Sequence, residues 1–414
     1  MRRHLALSLL GLLALAASLA CSSVSHGPLT ITLDKSTVLV SSPVHVMASG
    51  LDPGEAATLA VTTTDAGGYV WSSSASFNAD GNGQIDPSRA TPSRGSYTEE
   101  DGMGLFRSMR PAGPSPLPTF LLPPGVGELD RIVVTAGSRN ATQLLVRRAY
   151  GLGVVLTEKR TPADSFYGDY FKPADVSTKR PGILIFGGSE GGLSGTPVAT
   201  QLASLGYPAL AVAYFAEPGL PSTLLDVPLE YFVGALTWLS QQPGVDPAHM
   251  IVYGVSRGSE AALLLGADFP DLVHGVVALV PSAWVNCSFP ICKGSAWSLK
   301  GQPIPFDGPA AGSDALIPVS KIDGPIFIDC GDDDAVWPSC QYSNRIKAEL
   351  ATGFPYQHPI LEFPDAGHGI GSIVPYLNSS EPIAIQGRTL SSNQLARERA
   401  WPQLLTFLAG AARS

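Results

Sequence analysis

The sequence predicts a doubly wound α/β domain that follows a small all-β sandwich. Short alternating strands separated by turns fill residues 28–148, and over residues 150–414 longer apolar runs alternate with helical patterns. The chain also contains 44 Gly and 36 Pro, while hydrophobic residues make up 44% of it. This composition indicates many turns around a sizeable core, and it argues against a helical bundle or a disordered chain.

Residues 1–20 have the pattern of an export signal. Arg2 and Arg3 precede an apolar run that is shorter than the ~20 residues of a membrane span and ends at Cys21. The end of this run resembles a bacterial lipobox, in which the Cys is lipidated and becomes the new N-terminus. The usual pattern has Leu three residues before the Cys, where this chain has Ser18. We therefore expect export and a lipid anchor at Cys21, with plain secretion or an uncleaved anchor as alternatives.

The first globular segment, residues 28–148, is expected to form the sandwich. Ile31 and Leu33 alternate with polar residues, and so do Val38 and Val40, as is typical of strands with one buried face. Turn sequences recur between the strands, and no long helical pattern separates them. The turns are Asp52–Gly54, Asp65–Gly68, Asp80–Gly83 and Ala136–Arg139.

The second segment, residues 150–414, alternates strands with helices. Near-continuous apolar runs suit the central strands of a parallel sheet that is covered on both faces. The expected strands are Ile183–Phe186, Ala209–Tyr214, Met250–Tyr253, Val276–Val280, Ile326–Asp329 and Ile360–Phe363. The expected helices are Pro197–Leu205, Asp226–Gln241, Ser259–Asp268 and Tyr342–Thr352. This βαβα order predicts a doubly wound sheet with right-handed crossovers.

The stretch Ile251–Gly258 carries the most informative functional motif. It contains G-x-S-x-G directly after an apolar strand and directly before a helix-forming segment. The turn in such a nucleophile elbow is too sharp for side chains on either flank, and Gly254 and Gly258 remove that obstacle. The motif predicts an α/β-hydrolase with Ser256 as its nucleophile. The start of the following helix predicts the backbone N–H of Arg257 as one oxyanion donor.

A second G-x-S-x-G, Gly187–Gly191, is the competing site for a nucleophile. It follows the strand Ile183–Phe186, but a glycine-rich loop rather than a helix comes after it. α/β-hydrolases place an oxyanion donor in such a loop after an early strand. We therefore expect the backbone N–H of either Gly188 or Ser189 to be the second donor, with a plain flexible turn as the alternative.

The triad order in this fold is nucleophile, acid and then histidine, which selects among the histidines after Ser256. His274 comes too early, and His358 precedes a proline that keeps its backbone extended. His368 follows the strand Ile360–Phe363 in a loop flanked by glycines, so that its imidazole can reach over the end of the sheet. We expect His368 to be the general base.

The acid is expected in the aspartate run after the strand Ile326–Asp329. Three adjacent aspartates cannot all face the histidine, and like charges this close repel one another. The strand-to-turn pattern G-x-x-D-x-x-x-P favours Asp334, with Asp332 or Asp333 as the fallback. The role of this carboxylate is to hold His368 in the correct tautomer and to stabilise the imidazolium.

Four cysteines besides Cys21 would lie in an oxidising compartment after export, which favours disulfides over free thiols. The expected connectivity joins sequence neighbours, Cys287 with Cys292 and Cys330 with Cys340. A bridge between the second pair would close and stiffen the acidic loop.

The net charge limits the partners that we expect. The formal charge of −9 argues against a general nucleic-acid surface, and no Cys or His pair has zinc-finger spacing. We expect no nucleic acid, no metal and no cofactor, and membrane contact only through the lipid anchor. The sequence leaves the oligomeric state open.

Further motifs extend over nearly all of the chain after the leader. They are Gly50–Gly54, Tyr69–Ser73, Gly95–Tyr97, Gly102–Pro111, Pro181–Gly188, Gly331–Trp337 and Ala366–His368. Together with the elbow at Ser256, they resemble the acyl-CoA thioesterase / bile acid-CoA:amino acid N-acyltransferase family. The spacing between Asp334 and His368 also fits the family's pattern.

The resemblance implies hydrolysis, because acyl transfer in this family is associated with Cys at the elbow and this chain has Ser256. The implied activity is cleavage of acyl thioesters, with acyl-CoA as the small-molecule substrate. Export from the cytosolic acyl-CoA pool leaves an exported carboxylesterase or lipase-like enzyme as the main alternative, with a peptidase behind it. A non-catalytic envelope binding protein with a vestigial triad is the alternative of a different class.

Overall fold

The computed structural model describes residues 27–113, 127–306, 314–377 and 390–412. The leader and Cys21 lie outside these ranges. A β-rich unit runs to Arg148, and an α/β unit begins at Val155. The predicted fold class, an α/β-hydrolase preceded by a β-sandwich, is confirmed by the layers described next.

The β-rich unit contains ten described strands and one short helix. The strands are β1 (Thr30–Leu33), β2 (Thr37–Leu39), β3 (Val46–Ser49), β4 (Ala56–Thr64), β5 (Val70–Asn78), β6 (Gln84–Ile85), β7 (Arg94–Gly95), β8 (Arg110–Pro111), β9 (Glu128–Ala136) and β10 (Arg139–Arg148). The helix is α1 (Gly104–Arg107).

These strands form two sheets over one core. The small sheet has the order β1-β3-β6, and the large sheet has the order β2-β10-β9-β4-β5-β7, with β8 pairing on β5. Alternate residues of β4 and β5 are buried, because successive side chains of a strand point to opposite faces. The core side chains come from both sheets and include Ile31, Val46, Ile85, Leu59, Trp71, Phe77, Ile132 and Leu145.

The α/β unit is built on a sheet of eight strands. They are β11 (Val155–Lys159), β12 (Tyr167–Lys172), β13 (Arg180–Phe186), β14 (Ala209–Ala213), β16 (Val245–Val255), β17 (Gly275–Leu279), β20 (Ile326–Gly331) and β21 (Ile360–Phe363). Their order is β11-β12-β14-β13-β16-β17-β20-β21. The pairs β11–β12 and β12–β14 are antiparallel, and the pairs from β14 onward are parallel. This is the strand order of the α/β-hydrolase fold.

Helices cover both faces of this sheet. They are α2 (Thr196–Ser204), α3 (Leu229–Ser240), α4 (Arg257–Asp268), α5 (Ser339–Leu350) and α6 (Leu390–Ala411), with 3-10 turns at Val319–Lys321 and His368–Gly371. Alternate residues of the central strands feed two separate cores. Helices α3, α4 and α5 pack on Leu184, Val252 and Ile328. On the other face, α2 and α6 pack on Ile183 and Phe327.

The central strands lie where the sequence predicts them. Three further elements were not predicted: β11, an exposed edge strand, β12, which lies between β11 and β14, and α6, which contains Pro402. The helix expected from Asp226 begins at Leu229 instead. Its first residues form β15 (Val227–Pro228), which joins β18 (Trp297–Leu299) and β19 (Gln302–Pro303) in a small third sheet.

One side chain of the α/β unit enters the sandwich core. Tyr376 is buried and packs within the apolar cluster of the β-rich unit. Its carbonyl oxygen accepts a hydrogen bond from Arg147 Nη1 of β10 at 3.3 Å, and its hydroxyl donates to Glu398 Oε1 of α6 at 2.8 Å. The two units therefore share buried apolar and polar contacts at this point.

Candidate active site

Ser256 lies at the sharp turn between β16 and α4. Its backbone has φ of +54° and ψ of −120°, a conformation that few non-glycine residues adopt. A Cβ on Gly254 would lie 2.1 Å from the carbonyl oxygen of Gly258, and a Cβ on Gly258 would lie 2.2 Å from the carbonyl oxygen of Gly187. Only glycine fits at either position, which is the steric reason for the G-x-S-x-G pattern.

Three side chains that are far apart in the sequence meet above the end of the sheet. Ser256 Oγ lies 2.8 Å from His368 Nε2, and His368 Nδ1 lies 2.8 Å from Asp334 Oδ2. The Asp334 carboxylate is buried, while the imidazole keeps a small exposed fraction. This is the hydrogen-bonding order of a nucleophile, a general base and an orienting acid.

The loop after β20 decides which aspartate contacts His368. Asp334 Oδ1 accepts the N–H groups of Val336 at 2.9 Å and Trp337 at 3.3 Å, so the carboxylate is fixed from its own loop. Asp332 and Asp333 use their N–H groups to bond the carbonyl oxygens of Phe363 and Ala366. These bonds hold the run against the last residue of β21 and the loop after it, and the carboxylate of Asp334 is hydrogen-bonded to His368.

His368 begins a 3-10 turn that α6 holds in place. Asn393 Oδ1 accepts the N–H of Gly367 at 2.8 Å, and Arg397 Nε donates to the carbonyl oxygen of Gly369 at 3.0 Å. The Trp337 ring packs edge-on against the imidazole at 5.6 Å. The sequence analysis missed Asn393 and Arg397, because nothing local in a polar C-terminal helix indicates which loop it will contact.

The glycine-rich loop with the expected second oxyanion donor lies close to Ser256, since a Cβ built on Gly188 would be 3.2 Å from Ser256 Oγ. Arg257 is the first residue of α4, so its N–H faces the start of the helix with no helical partner. The N–H of Gly188 donates to Glu190 Oε1 at 2.9 Å. Within the described part of the chain, the N–H of Ser189 has no acceptor. Of the two candidates for the second donor, Gly188 is therefore engaged in this structure.

A fully buried carboxylate supports the start of α4. Glu260 Oε1 lies 3.0 Å from Arg257 Nη1 and 2.9 Å from Asn286 Nδ2. Its other oxygen accepts the indole N–H of Trp297 at 3.0 Å. Arg257 also donates to the carbonyl oxygen of Cys287. This cluster fixes the segment after β17 against the elbow, and it was not predicted, because buried charge networks leave no local sequence signature.

The described cysteines form two bridges, Cys287–Cys292 and Cys330–Cys340. The second bridge spans the loop that carries Asp334. No group of three metal-ligating side chains occurs among the residues that the structure describes. Over the same ranges, no helix is both long and apolar enough to cross a membrane.

Two family models match most of the chain. The model of the acyl-CoA thioester hydrolase/BAAT N-terminal region matches residues 41–121. The model of the BAAT/acyl-CoA thioester hydrolase C terminus matches residues 227–305 and 307–413. The chain belongs to this family.

Similar proteins are named acyl-coenzyme A thioesterases or acyl-coenzyme A amino acid N-acyltransferases. Mouse acyl-coenzyme A thioesterase 6 is 29% identical over 88% of this chain and 92% of its own length. Human acyl-coenzyme A thioesterase 1 is 28% identical over the same shares, and rat acyl-coenzyme A amino acid N-acyltransferase 2 is 28% identical over 80% of this chain and 84% of its own. An esterase from Pyrobaculum calidifontis aligns over 63% of this chain and 86% of its own at 16% identity, with a TM-score of 0.43.

The family resemblance expected from the sequence motifs is therefore confirmed, and this family member is a hydrolase of esters or thioesters. The catalytic roles of Ser256, His368 and Asp334 remain predictions. The two 2.8 Å contacts between their side chains specify the atoms that would act.

Proposed function

We propose that this protein hydrolyses acyl thioesters, with acyl-CoA as the substrate, through an acyl-enzyme on Ser256. The observation that carries the proposal is the continuous hydrogen-bond chain from Ser256 through His368 to Asp334, at the sharp turn between β16 and α4. The thioesterase names of the relatives support the choice of thioester.

Acylation begins when Ser256 Oγ attacks the carbonyl carbon of the bound thioester. His368 Nε2, 2.8 Å away, takes the hydroxyl proton as the new C–O bond forms. The carbonyl oxygen becomes an oxyanion, which the N–H groups of Arg257 and Ser189 stabilise. The buried Asp334 carboxylate stabilises the imidazolium that results. The C–S bond then breaks, and the leaving thiolate receives the proton from His368.

Deacylation repeats these steps with water as the nucleophile. His368 takes a proton from the water as its oxygen attacks the acyl carbon, and the second tetrahedral oxyanion occupies the same donors. The bond between the acyl carbon and Ser256 Oγ breaks, and Oγ recovers its proton from the imidazolium. The products are a carboxylic acid and the free thiol, and the enzyme returns to its starting state.

The decisive experiment compares thioesters with oxygen esters on the purified mature protein. An acyl-CoA chain-length series, followed by released thiol, is measured beside p-nitrophenyl esters of the same acyl groups, with Ser256→Ala as the control. The proposal requires a higher kcat/KM for at least one acyl-CoA than for its matched ester, and loss of both in the variant. Turnover by Ser256→Ala at the wild-type rate would show that Ser256 is not the nucleophile.

Hydrolysis of oxygen esters is the second candidate, because the leader-like N-terminus would carry the protein away from cytosolic acyl-CoA. The same triad serves both substrates, since both pass through a tetrahedral oxyanion. Turnover of p-nitrophenyl esters alone, with no acyl-CoA hydrolysed, would select this candidate.

A further inference from the structure

Glu190 brings a carboxylate outside the triad next to Ser256. Its Oε1 accepts the N–H of Gly188 at 2.9 Å. A Cβ built on Gly188 would lie 3.0 Å from Glu190 Oε2 and 3.2 Å from Ser256 Oγ, so the two oxygens flank the same small volume. Because both oxygens lie this close to one point, an acyl carbon bonded to Ser256 Oγ would lie near the Glu190 carboxylate.

The Tyr214 side chain fixes the backbone of the loop that carries Glu190. The buried Tyr214 hydroxyl lies 2.9 Å from the carbonyl oxygens of both Gly187 and Gly188. Burial raises the pKa of Tyr214 well above its ordinary value, and the negative charge of Glu190 raises it further. Tyr214 is therefore a neutral donor, and it holds the backbone to which the Glu190 carboxylate is bonded.

The charge of Glu190 is not cancelled by a neighbour. Arg257, the basic residue next to Ser256, is 3.0 Å from the buried carboxylate of Glu260 and forms a pair with it. His368 is committed to Asp334. Across the described ranges, no Lys, Arg or His forms an ion pair with Glu190. Glu190 is exposed, so water screens its charge, but no basic side chain neutralises it.

We propose that Glu190 is a specificity-determining residue, which disfavours acyl groups with a carboxylate near the reacting carbonyl and favours neutral or cationic ones. The inference rests on the proposed acyl transfer through Ser256 and adds the class of acyl group to it. For a substrate carboxylate held roughly 6 Å from the exposed Glu190, at an effective dielectric of about 40 to 80, repulsion lowers kcat/KM by about 3- to 10-fold.

The test uses thioesters that differ only in charge. Succinyl and 4-methylpentanoyl thioesters of N-acetylcysteamine form one pair, since a carboxylate and an isopropyl group have similar shapes. 4-(Trimethylammonio)butanoyl and 5,5-dimethylhexanoyl thioesters form the cationic pair. Spontaneous hydrolysis is subtracted with Ser256→Ala. The quantity measured is the ratio of kcat/KM within each pair, which cancels differences in enzyme content and stability.

Glu190→Gln keeps the size of the side chain and its acceptor oxygen for the Gly188 N–H, and it removes the charge. The matched control is Glu217→Gln, because Glu217 follows β14 and lies against the same loop, with Oε1 3.1 Å from a Cβ built on Gly192. We expect the wild type to prefer the neutral member over the succinyl member by about 3- to 10-fold at low salt. We expect this ratio to fall by about threefold or more in Glu190→Gln and to remain at the wild-type value in Glu217→Gln.

Salt gives an independent readout. A preference that arises from charge shrinks when the ionic strength rises to about 0.5 M, whereas a preference that arises from shape does not. An unchanged ratio in Glu190→Gln, or a ratio that ignores salt, would overturn the inference. If the wild type cleaves no thioester, the same acyl groups are tested as p-nitrophenyl esters, so that failure of the thioesterase proposal is distinguished from failure of the Glu190 assignment. A protein that cleaves neither kind of ester excludes both.

Discussion

Ser256 and its flanking glycines show how one residue's backbone sets the chemistry of the site. A non-glycine residue at φ of +54° costs about 1–3 kcal/mol. The surroundings hold this conformation, because the Ser256 N–H bonds the carbonyl oxygen of Leu279 at 3.0 Å and α4 begins at the next residue. In this strained conformation, Ser256 Oγ lies 2.8 Å from His368 Nε2.

The acid assignment gives the sharpest prediction for a single residue. Asp334→Asn keeps the shape of the side chain, but its amide would stabilise the wrong imidazole tautomer, so kcat/KM at neutral pH should fall by about 10³- to 10⁴-fold. Asp332→Asn is the matched control, since Asp332 is exposed in the same loop, and it should stay within about threefold of the wild type. Steady-state hydrolysis of a p-nitrophenyl ester measures both, and equal losses would contradict the assignment.

Asp329 makes a prediction about pH and stability. Burial raises the pKa of this carboxyl to about 8, although the N–H of Val280 and the charge of Arg397 act in the opposite direction. Between about pH 4 and pH 8 the unfolded chain ionises while the folded chain keeps its proton. The folded state therefore loses up to about 1.4 kcal/mol per pH unit from this group as the pH rises.

Asp329→Asn should remove this part of the pH dependence. The free energy of unfolding of the variant minus that of the wild type should therefore be more positive at pH 8 than at pH 5. Denaturant midpoints at the two pH values measure the difference. Parallel curves for the two proteins would show that Asp329 ionises normally in the folded state.

At the scale of elements, two connections position the base and the acid over the sheet. The turn at His368–Gly371 is held by Asn393 and Arg397 of α6, which lies at the end of the chain. The loop that carries Asp334 is closed by the Cys330–Cys340 bridge between β20 and α5. Each connection involves a helix, α6 in the first and α5 in the second, so the geometry of the triad depends on how these helices pack against strand ends.

Removing the Cys330–Cys340 bridge should therefore affect activity more than removing Cys287–Cys292. By loop-closure entropy, each double Cys→Ser variant should lose about 2–3 kcal/mol of stability. Only the first should also lower kcat markedly at a temperature where both are folded, because Asp334 lies inside its loop. Thermal melts and kcat measured together separate the two effects, and equal kcat values would refute this role of the bridge.

At the scale of the whole molecule, Tyr376 joins the two units into one folding system. Its ring packs in the sandwich core, while its hydroxyl bonds Glu398 on the same helix that holds the His368 turn. Because this contact is buried, the sandwich contributes to the stability of the α/β unit. This assigns a physical role to residues 28–148, whose contribution the sequence left open.

Tyr376→Ala should cost about 3–5 kcal/mol, as is usual for loss of a buried aromatic side chain. We expect the wild type to unfold in one calorimetric transition and the variant to separate into two, because the units lose their shared core. Tyr376→Phe keeps the ring and should retain the single transition. Two transitions already present in the wild type would contradict the coupling.

The leader gives a prediction about the whole protein in its cell. We propose that the chain is exported and anchored through Cys21, as the lipobox-like sequence suggests. Cys21→Ser should then shift the protein from the membrane fraction to the soluble envelope fraction without changing its activity. Equal membrane recovery of both proteins would exclude the lipid anchor.

The sequence by itself determined the order of the two units, the central strands and the family. Apolar runs, the glycines of the elbow and the glycines around His368 are local, since each follows from the steric needs of a few adjacent residues. These needs also limited the triad candidates to Ser256, one histidine and a run of three aspartates.

Only the tertiary structure decided which of these groups meet. It brought Asp334, which the strand-to-turn pattern already favoured, to His368, because the hydrogen bonds of Asp332 and Asp333 to the carbonyl oxygens of Phe363 and Ala366 fix the direction of the loop. It also brought Glu190 beside Ser256 and α6 beside the His368 turn. These contacts join residues that are distant in the chain, so they depend on packing between elements, on which the periodicity within one element carries no information.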